Sequence, residues 1–343
     1  MNKKISAGIT PIIILVILAV MAIGAYFLVV PKIKQSLKPA KTYRVGVLSG
    51  LSFVVDITDG FKNGMKELGY VEGKNISYDV QKTEFDMEAY KKALKKFVDE
   101  KVDLIFVFPT EASIEAKNAT QGTNIPVVFC FAQVEGMNLI KSVREPGGNI
   151  TGVRYPGPDL AVKRFEIMRE LAPDAKRILV PYQKGYPIVV SQLDALKPVM
   201  KAAGVTLVEA PAGNAAELEK ILAAEVKSGD IGFEAILAIA EPLFVTPDAF
   251  EVLGKFAYEY KIPIGGALMS AGGYDAIFGV NVNNIATGKQ AAPLVDKILR
   301  GTSAGTIPVV SAESFLQINY KAAQKLGVKV SEGLLRRANE VIR

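Results

Sequence analysis

The sequence predicts an α/β fold of two doubly wound lobes, each built on a parallel β-sheet, that follow an N-terminal transmembrane helix. Three observations lead to this prediction. Residues 5–31 contain no charged side chain. After Thr42, short apolar runs alternate with segments of helical periodicity, which is the pattern of parallel sheets covered by helices. The alternation then starts again near Leu160, which indicates a second lobe of the same kind.

The N-terminal apolar run has a core, residues 11–30, that is long enough to cross a membrane, because about 20 apolar residues span the hydrocarbon layer. Signal-peptide cores are usually shorter, about 7–15 residues. We therefore expect residues 1–41 to be a membrane anchor followed by a linker. A signal cleaved after Gly24 and pilin-type processing after Gly8 are alternatives. Lysines flank the run on both sides, so charge does not fix its orientation.

The composition argues against several classes of function. The chain has 41 basic and 35 acidic residues, but residues 1–41 hold six lysines and no acid, which leaves 35 of each in the remainder. Nucleic-acid binding needs a basic excess, so we expect no nucleic-acid partner. There is no His, and Cys130 is the single Cys. The usual general base and metal ligand are missing, and we predict no enzyme activity, no metal site and no cofactor.

The first series of elements starts with an apolar run at Tyr43 that suits a buried parallel strand. The helix after it places Ile57, Phe61 and Met65 on one face and ends before Gly69. Continuing in this way, we predict strands at 43–49, 75–81, 103–108 and 126–131, and helices at 56–68, 87–100 and 112–120.

The second series repeats this pattern, and KAAGV (201–205) leads into a strand as KELGY (66–70) does. We predict helices at 160–171, 188–203, 215–227 and 247–260, and strands at 177–181, 205–210, 235–240 and 263–266. We expect a three-crossing hinge near 151–156, 278–283 and 310–315. These crossings divide the body into an N-terminal lobe, 42–153 with 283–312, and a C-terminal lobe, 154–282 with 313–343.

Candidate ligand-binding residues follow the predicted strands, because ligands of open α/β sheets bind at the carboxyl ends of the strands. Hydroxyls, aromatic rings and a carboxylate there form the mixture typical of pockets for small organic molecules. Other roles are open for each residue: a helix cap for the hydroxyls, a core position for the rings, and a solvated charge for the glutamate. The candidates are Ser49, Ser52, Phe53, Thr110, Phe131, Tyr155, Tyr182, Glu241 and Met269.

Several segments together resemble the substrate-binding proteins of ABC importers, in the branch that binds tryptophan and phenylalanine. The resemblance is carried by RVGVLSG (44–50), VDLIFVFPT (102–110), PGGNITGV (146–153) and LAPDAKRILVPY (171–182), and it covers nearly all of 43–343. It implies the type I periplasmic-binding-protein fold, with pocket loops that include Ser52 or Phe53, Thr110 and Tyr182. The chain departs from the family at FAQVEGMN (131–138) and at Glu241, where relatives often carry Asp.

The resemblance implies a monomeric, membrane-anchored receptor on the outer side of the membrane that closes over a small ligand and delivers it to ABC permease subunits. An amino acid or another aromatic solute is the expected ligand. Two alternatives remain open at this point. One is a ligand-sensing domain that works with a membrane signalling partner. The other is a two-domain enzyme of the glycosyltransferase type, with Glu111 and Glu241 as its candidate bases.

Overall fold

The computed structural model describes residues 41–227 and 231–343. The predicted transmembrane helix lies outside the described residues. Within them, no helix combines the length and the apolar character needed to cross a membrane. Residues 43–343 pack together as one unit that contains two large sheets.

The first sheet has six strands in the order β13–β5–β4–β3–β1–β2, and all neighbouring pairs are parallel. Its central strands are apolar on both faces because helices cover both sides of the sheet. The strands are β1 (Tyr43–Ser49), β2 (Ile76–Lys82), β3 (Leu104–Phe108), β4 (Val127–Ala132), β5 (Ile150–Arg154) and β13 (Val310–Ser311). The first three helices are α1 (Asp56–Glu67), α2 (Met87–Asp99) and α3 (Thr110–Ala119).

The second sheet has seven strands in the order β15–β14–β12–β9–β8–β6–β7. The strands are β6 (Arg177–Gln183), β7 (Thr206–Ala212), β8 (Ala235–Ala238), β9 (Ile264–Gly266), β12 (Phe278–Val282), β14 (Ser314–Asn319) and β15 (Glu340–Ile342), with a separate hairpin of β10 (Ser270–Ala271) and β11 (Tyr274–Asp275). The helices are α4 (Gly157–Leu171), α5 (Pro187–Ala202), α6 (Ala215–Lys227), α7 (Pro242–Val245), α8 (Pro247–Tyr260), α9 (Asn284–Leu299), α10 (Tyr320–Lys325) and α11 (Glu332–Arg337).

The predicted elements of both series are present, with ends that shift by up to three residues. Three features differ from the prediction. The second sheet is not wholly parallel, because β14 pairs antiparallel with β12. The strand predicted at 235–240 ends at Ala238, and α3 begins at Thr110 rather than at Ala112. The second shift moves two more residues into the first turn of α3, beside the end of β3.

The prediction missed α9, which carries a Gly and a Pro inside it and so has weak helical periodicity. Its start is fixed by Asn283, whose side-chain oxygen accepts a hydrogen bond from the Ala286 amide at 2.9 Å. The helix lies directly against α1. A Cβ at Gly60 would stand 2.0 Å from a backbone oxygen of α9, and one at Gly288 would stand 2.1 Å from the Ile57 carbonyl oxygen. The absence of side chains at these two positions allows the close approach.

The chain passes from one sheet to the other three times: after β5, after β12, and between β13 and β14. We refer to the six-stranded sheet with α1–α3 and α9 as the first lobe, and to the seven-stranded sheet with α4–α8, α10 and α11 as the second lobe. The exact lobe boundaries stay a prediction. Residues that follow the strands of both sheets meet in the cleft described next.

Candidate ligand-binding site

A cleft between the two lobes encloses about 730 Å³ of empty space, counting the part that is open to solvent. The space within it that the centre of a water-sized sphere can occupy is about 90 Å³, so the lobes lie close together across the cleft. The first lobe lines it with Leu51, Phe53, Phe85, Pro109, Thr110, Glu111, Phe131 and Gln133. The second lobe lines it with Tyr186, Ile188, Ile239, Ala240, Glu241, Pro242, Ala267, Leu268 and Asn281, and Tyr155 stands in the first crossing between the lobes.

Five of the nine predicted site residues line this cleft: Phe53, Thr110, Phe131, Tyr155 and Glu241. They come from five separate segments of the chain. Each of them follows a strand or lies at its end, which is where ligands of open α/β sheets bind.

The other four predicted residues lie outside the lining. Ser49 is buried at the end of β1. Ser52 is exposed, and the Tyr182 hydroxyl donates a 2.5 Å hydrogen bond to Glu209 on β7. The Met269 sulfur lies 2.6 Å from the position that a Cβ would take at Gly279. Cys130 is fully buried among apolar side chains, and burial raises the pKa of its thiol far above the usual range.

Two aromatic residues of the first lobe reach the cleft from a left-handed backbone. Phe85 has φ 47° and Phe131 has φ 50°. Bulky side chains seldom adopt this conformation, which costs about 1–2 kcal/mol. At Phe131 the cause is a β-bulge between Cys130 and Ala132, and bulges of this kind redirect side chains beside functional sites. The Phe131 ring thereby lies 4.9 Å from the ring of Tyr155, centroid to centroid.

Hydrogen bonds from the loop that carries Phe85 and from the first turn of α2 attach this region to the end of β1. The Thr83 amide donates to the Ser49 carbonyl at 2.9 Å and the Phe85 amide to the Gly50 carbonyl at 3.1 Å. The buried hydroxyl of Tyr90 donates to the same Gly50 carbonyl at 2.7 Å. These bonds hold Phe85 at the cleft beside Phe53, although both rings remain substantially exposed, 37% and 48%.

Two carboxylates face the cleft, one from each lobe. Glu111 lies in the first turn of α3 and accepts a hydrogen bond from the hydroxyl of Tyr186 in the second lobe. Burial and the neighbouring Glu111 charge raise the pKa of Tyr186 far above its usual range, so this hydroxyl keeps its proton. Glu241 is 4% exposed and precedes α7, where its carboxylate accepts a 2.8 Å hydrogen bond from the Leu243 amide. No Lys or Arg is among the described lining residues.

A second polar contact joins the lobes through Gln133, which is 1% exposed at the end of β4. Its backbone amide donates to the Thr110 hydroxyl at 3.0 Å within the first lobe. Its side-chain amide donates to the Ser191 hydroxyl at 2.6 Å and to the Ile188 carbonyl at 3.3 Å in α5. The two lobes are therefore in direct contact beside the cleft.

Sequence reasoning did not single out Glu111, Gln133 or Tyr186 as ligand-binding residues, although all three lie in loops that follow predicted strands. It also missed Phe85 and Asn281, because the loop after β2 had not been considered and residues 278–283 were predicted only as a hinge crossing. A search of every strand end would have included Phe85. Within the described residues, no group of three or more His, Cys, Asp or Glu is placed to hold a metal ion.

The family model for the ABC transporter substrate binding protein matches residues 47–342. The chain belongs to this family. Its members bind small-molecule ligands outside the cytoplasm and work with ABC permeases. They are not enzymes, and neither is this protein, which excludes the two-domain enzyme alternative. The family resemblance read from the sequence is confirmed.

Three relatives are informative. A tyrosine-binding protein of Clostridioides difficile (strain R20291) is 29% identical over 255 residues, which cover 74% of this chain and 71% of the relative. An ABC domain of Streptococcus pneumonia, solved in complex with L-Trp, is 24% identical with a TM-score of 0.76 and covers 88% of this chain and 100% of that one. The ligand-free, open structure of a Clostridium difficile substrate-binding protein, CD0873, is 24% identical with a TM-score of 0.72 and covers 88% and 99%. The two structural likenesses show the shared fold.

Proposed function

We propose that this protein is the extracytoplasmic receptor of an ABC importer and that its ligand is an aromatic amino acid. The observation that carries the proposal is the composition of the cleft. Three phenylalanine rings from the first lobe and the Tyr155 ring line it together with two carboxylates, and no described lining residue is a cation. An aromatic ring on a ligand would stack on these rings, and its ammonium group would meet the carboxylates.

The position of Glu241 supports the ammonium contact. Its carboxylate is 4% exposed, so a cation that reaches it is held away from water, where attraction between opposite charges is stronger. Glu111 offers a second negative charge from the other lobe. The names of the relatives point to the same class of ligand, since one is a tyrosine-binding protein and another was solved with L-Trp.

The lobes close over the ligand in this proposal. The contacts of Tyr186 with Glu111 and of Gln133 with Ser191 join the lobes directly, and both would break if the cleft opened. The three crossings of the chain would serve as the hinge. The open, ligand-free structure of CD0873 shows that the same fold also exists in an open form. Residues 1–41 would tether the receptor to the membrane beside its permease.

Ligand binding to the purified protein tests the proposal. Thermal unfolding is measured with a panel of L-tryptophan, L-tyrosine, L-phenylalanine, non-aromatic amino acids, nucleosides and sugars. We expect an aromatic amino acid to raise Tm, by an amount that corresponds to about 2.7 kcal/mol at a concentration of 100 times Kd. If nothing in the panel raises Tm, or if a sugar or nucleoside alone does, the proposed ligand class is wrong.

Closure is tested by small-angle X-ray scattering with and without the ligand that the panel identifies. The radius of gyration should fall on binding. Tyr186→Phe removes the hydroxyl that bonds Glu111, so the ligand-free variant should be more open than the wild type and bind about threefold to tenfold more weakly, the effect of one hydrogen bond of about 0.5–1.5 kcal/mol. Tyr182→Phe is the matched control, since its hydroxyl bonds Glu209 within one lobe. An equal radius of gyration in all states would contradict closure.

A further inference from the structure

Arg164, on α4, is a fully buried cation for which the described residues offer no carboxylate partner. Its side chain is 0% exposed. Nε donates to the Val280 carbonyl oxygen at 2.8 Å, and Nη2 donates to the Tyr155 hydroxyl oxygen at 2.7 Å. Nη1 has no hydrogen-bond partner among the described residues. Burial of a charge without a counter-ion is costly, so this position needs an explanation beyond packing.

Tyr155 connects this buried charge to the cleft. Its ring lines the cleft beside the Phe131 ring. Within the described residues, the one hydrogen bond of its hydroxyl is the bond it accepts from Arg164. The hydroxyl proton therefore remains for another acceptor. A cation bonded to the phenol oxygen draws electron density from it and makes the O–H a stronger donor.

No described residue of the lining carries a positive charge that could bind an anionic group of a ligand. Its charged members, Glu111 and Glu241, are both negative, and its described residues include no Lys or Arg. An amino acid brings a carboxylate as well as an ammonium group. The glutamates repel the carboxylate and attract the ammonium. A polarised O–H backed by a buried cation is the kind of donor that the carboxylate requires.

We propose that Tyr155, polarised by Arg164, binds the ligand carboxylate and lets the cleft select amino acids over the corresponding amines. This inference rests on the proposed function and assigns the second polar group of the same ligand. Tyr155 makes the contact. Arg164 is a positioning residue that holds the hydroxyl and supplies the positive charge behind it, and its bond to the Val280 carbonyl fixes the guanidinium beside the second crossing.

The test is isothermal titration of the full chain with two ligand pairs: L-tryptophan with tryptamine, and L-tyrosine with tyramine. The members of each pair differ only in the carboxylate. The wild type should bind the amino acid at least tenfold more tightly than the amine, the effect of about 1.4 kcal/mol. Tyr155→Phe keeps the ring and should weaken amino-acid binding about tenfold while amine binding changes less than twofold.

Arg164→Met should lower the same ratio of affinities, since it removes the charge and keeps an apolar side chain of comparable length. Should this variant fail to fold, Tyr155→Phe alone decides the matter, because its affinity for the amines shows whether the cleft survives the loss of the hydroxyl. Tyr182→Phe, whose hydroxyl bonds Glu209 outside the cleft lining, is the control and should leave both affinities unchanged.

Three results would overturn the inference. In the first, the wild type binds amine and amino acid equally well. In the second, Tyr155→Phe weakens both ligands by the same factor, which makes Tyr155 a wall of the cleft and nothing more. Both of these leave the proposed function standing. In the third, the wild type binds no member of either pair and no aromatic amino acid of the thermal-unfolding panel, and the proposed function fails together with this inference.

Discussion

The two walls of the cleft differ in kind. The wall from the first lobe carries the phenylalanines Phe53, Phe85 and Phe131, and two of them stand on left-handed backbone. The wall from the second lobe carries one aromatic ring, that of Tyr186, and the aliphatic side chains of Ile188, Ile239 and Leu268. None of its described lining residues has a positive φ. The chain accepts conformational strain on one side of the cleft only.

This difference indicates a division of work. Strained backbone persists where the surrounding structure holds it, and it clusters at functional sites. The first wall is held by a bulge in β4 and by hydrogen bonds between the loops after β1 and β2, so the backbone that carries its rings is in place before a ligand arrives. The second wall supplies Glu241 and an apolar cover. We infer that the first wall recognises the ring of the ligand and that the second holds its charge on closure.

The largest effect should come from the charge on the second wall. Glu241→Gln keeps the size of the side chain and removes the negative charge, and the affinity for an aromatic amino acid should fall about 100-fold, or about 3 kcal/mol. Glu219→Gln, at an exposed position on α6, is the control and should bind as the wild type does. Isothermal titration measures both. A loss below threefold for Glu241→Gln would show that the second wall does not hold the ligand charge.

The ring of Phe53 should have the next largest effect. Phe53→Ala removes an aromatic surface of the first wall, and affinity should fall about tenfold, because such rings contribute more than 1 kcal/mol at recognition sites. Tm of the ligand-free protein should hardly change, since the ring is 48% exposed. Val190→Ala, at a position 61% exposed on α5, is the matched control. A fall in Tm without a fall in affinity would assign the ring to stability.

The strain at Phe85 offers a sharper comparison. Phe85→Gly places glycine where φ is 47°, so it relieves strain while it removes a ring that is 37% exposed. The ligand-free protein should gain up to about 1 kcal/mol in the free energy of unfolding, and affinity should fall about threefold to fivefold. Chemical denaturation and titration of the same variant give the two quantities. A variant that loses stability would show that the ring is needed for packing.

The smallest effect is in alkaline stability, where the lobes should behave alike. Away from the cleft, each lobe has a tyrosine hydroxyl that donates to a carboxylate, Tyr70 to Asp296 and Tyr182 to Glu209. Burial is the main cause and the hydrogen bond to the carboxylate the second cause that raise the pKa of each hydroxyl to about 12. In an unfolded chain the pKa of tyrosine is about 10. The folded protein holds these protons to higher pH, so their contribution is complete below about pH 10 and declines towards pH 12.

Denaturation at several pH values checks this expectation. Tyr70→Phe and Tyr182→Phe should each lose less stability between pH 10 and pH 12 than the wild type does. Neither variant should alter ligand affinity, because both hydroxyls lie outside the cleft lining. A profile as steep as that of the wild type would mean that these two hydroxyls do not control alkaline unfolding.

Local patterns in the sequence were sufficient for most of the fold. The run YRVGVLS became β1 without a change of boundary, and α8 has its predicted ends. The helix α9 was missed because Gly288 and Pro293 weaken its pattern, and its stability comes from contact with α1, a partner more than 200 positions earlier. The antiparallel direction of β14 could not be predicted either, because it depends on the path of the chain from β13 back to the second sheet.

The site was predictable where a residue immediately follows a strand, as at Thr110 and Glu241. It was not predictable where a backbone irregularity turns the chain. No sequence pattern around Phe85 predicts its left-handed conformation. The contact of Glu111 with Tyr186 of the other lobe is visible only in the three-dimensional structure. Tyr182 and Tyr186 lie in the same predicted stretch, and the sequence could not tell which of the two would reach the cleft.

The close packing of α9 on α1 has a consequence for folding during synthesis. The first lobe is built mostly from residues near the start of the described chain. It also needs α9, with Gly288, which is synthesised after most of the second lobe. A nascent chain that stops at residue 283 lacks the partner that Gly60 is shaped to receive. The first lobe therefore cannot finish folding before the second lobe is synthesised. The ribosome must synthesise nearly the whole polypeptide before the first lobe reaches its final structure.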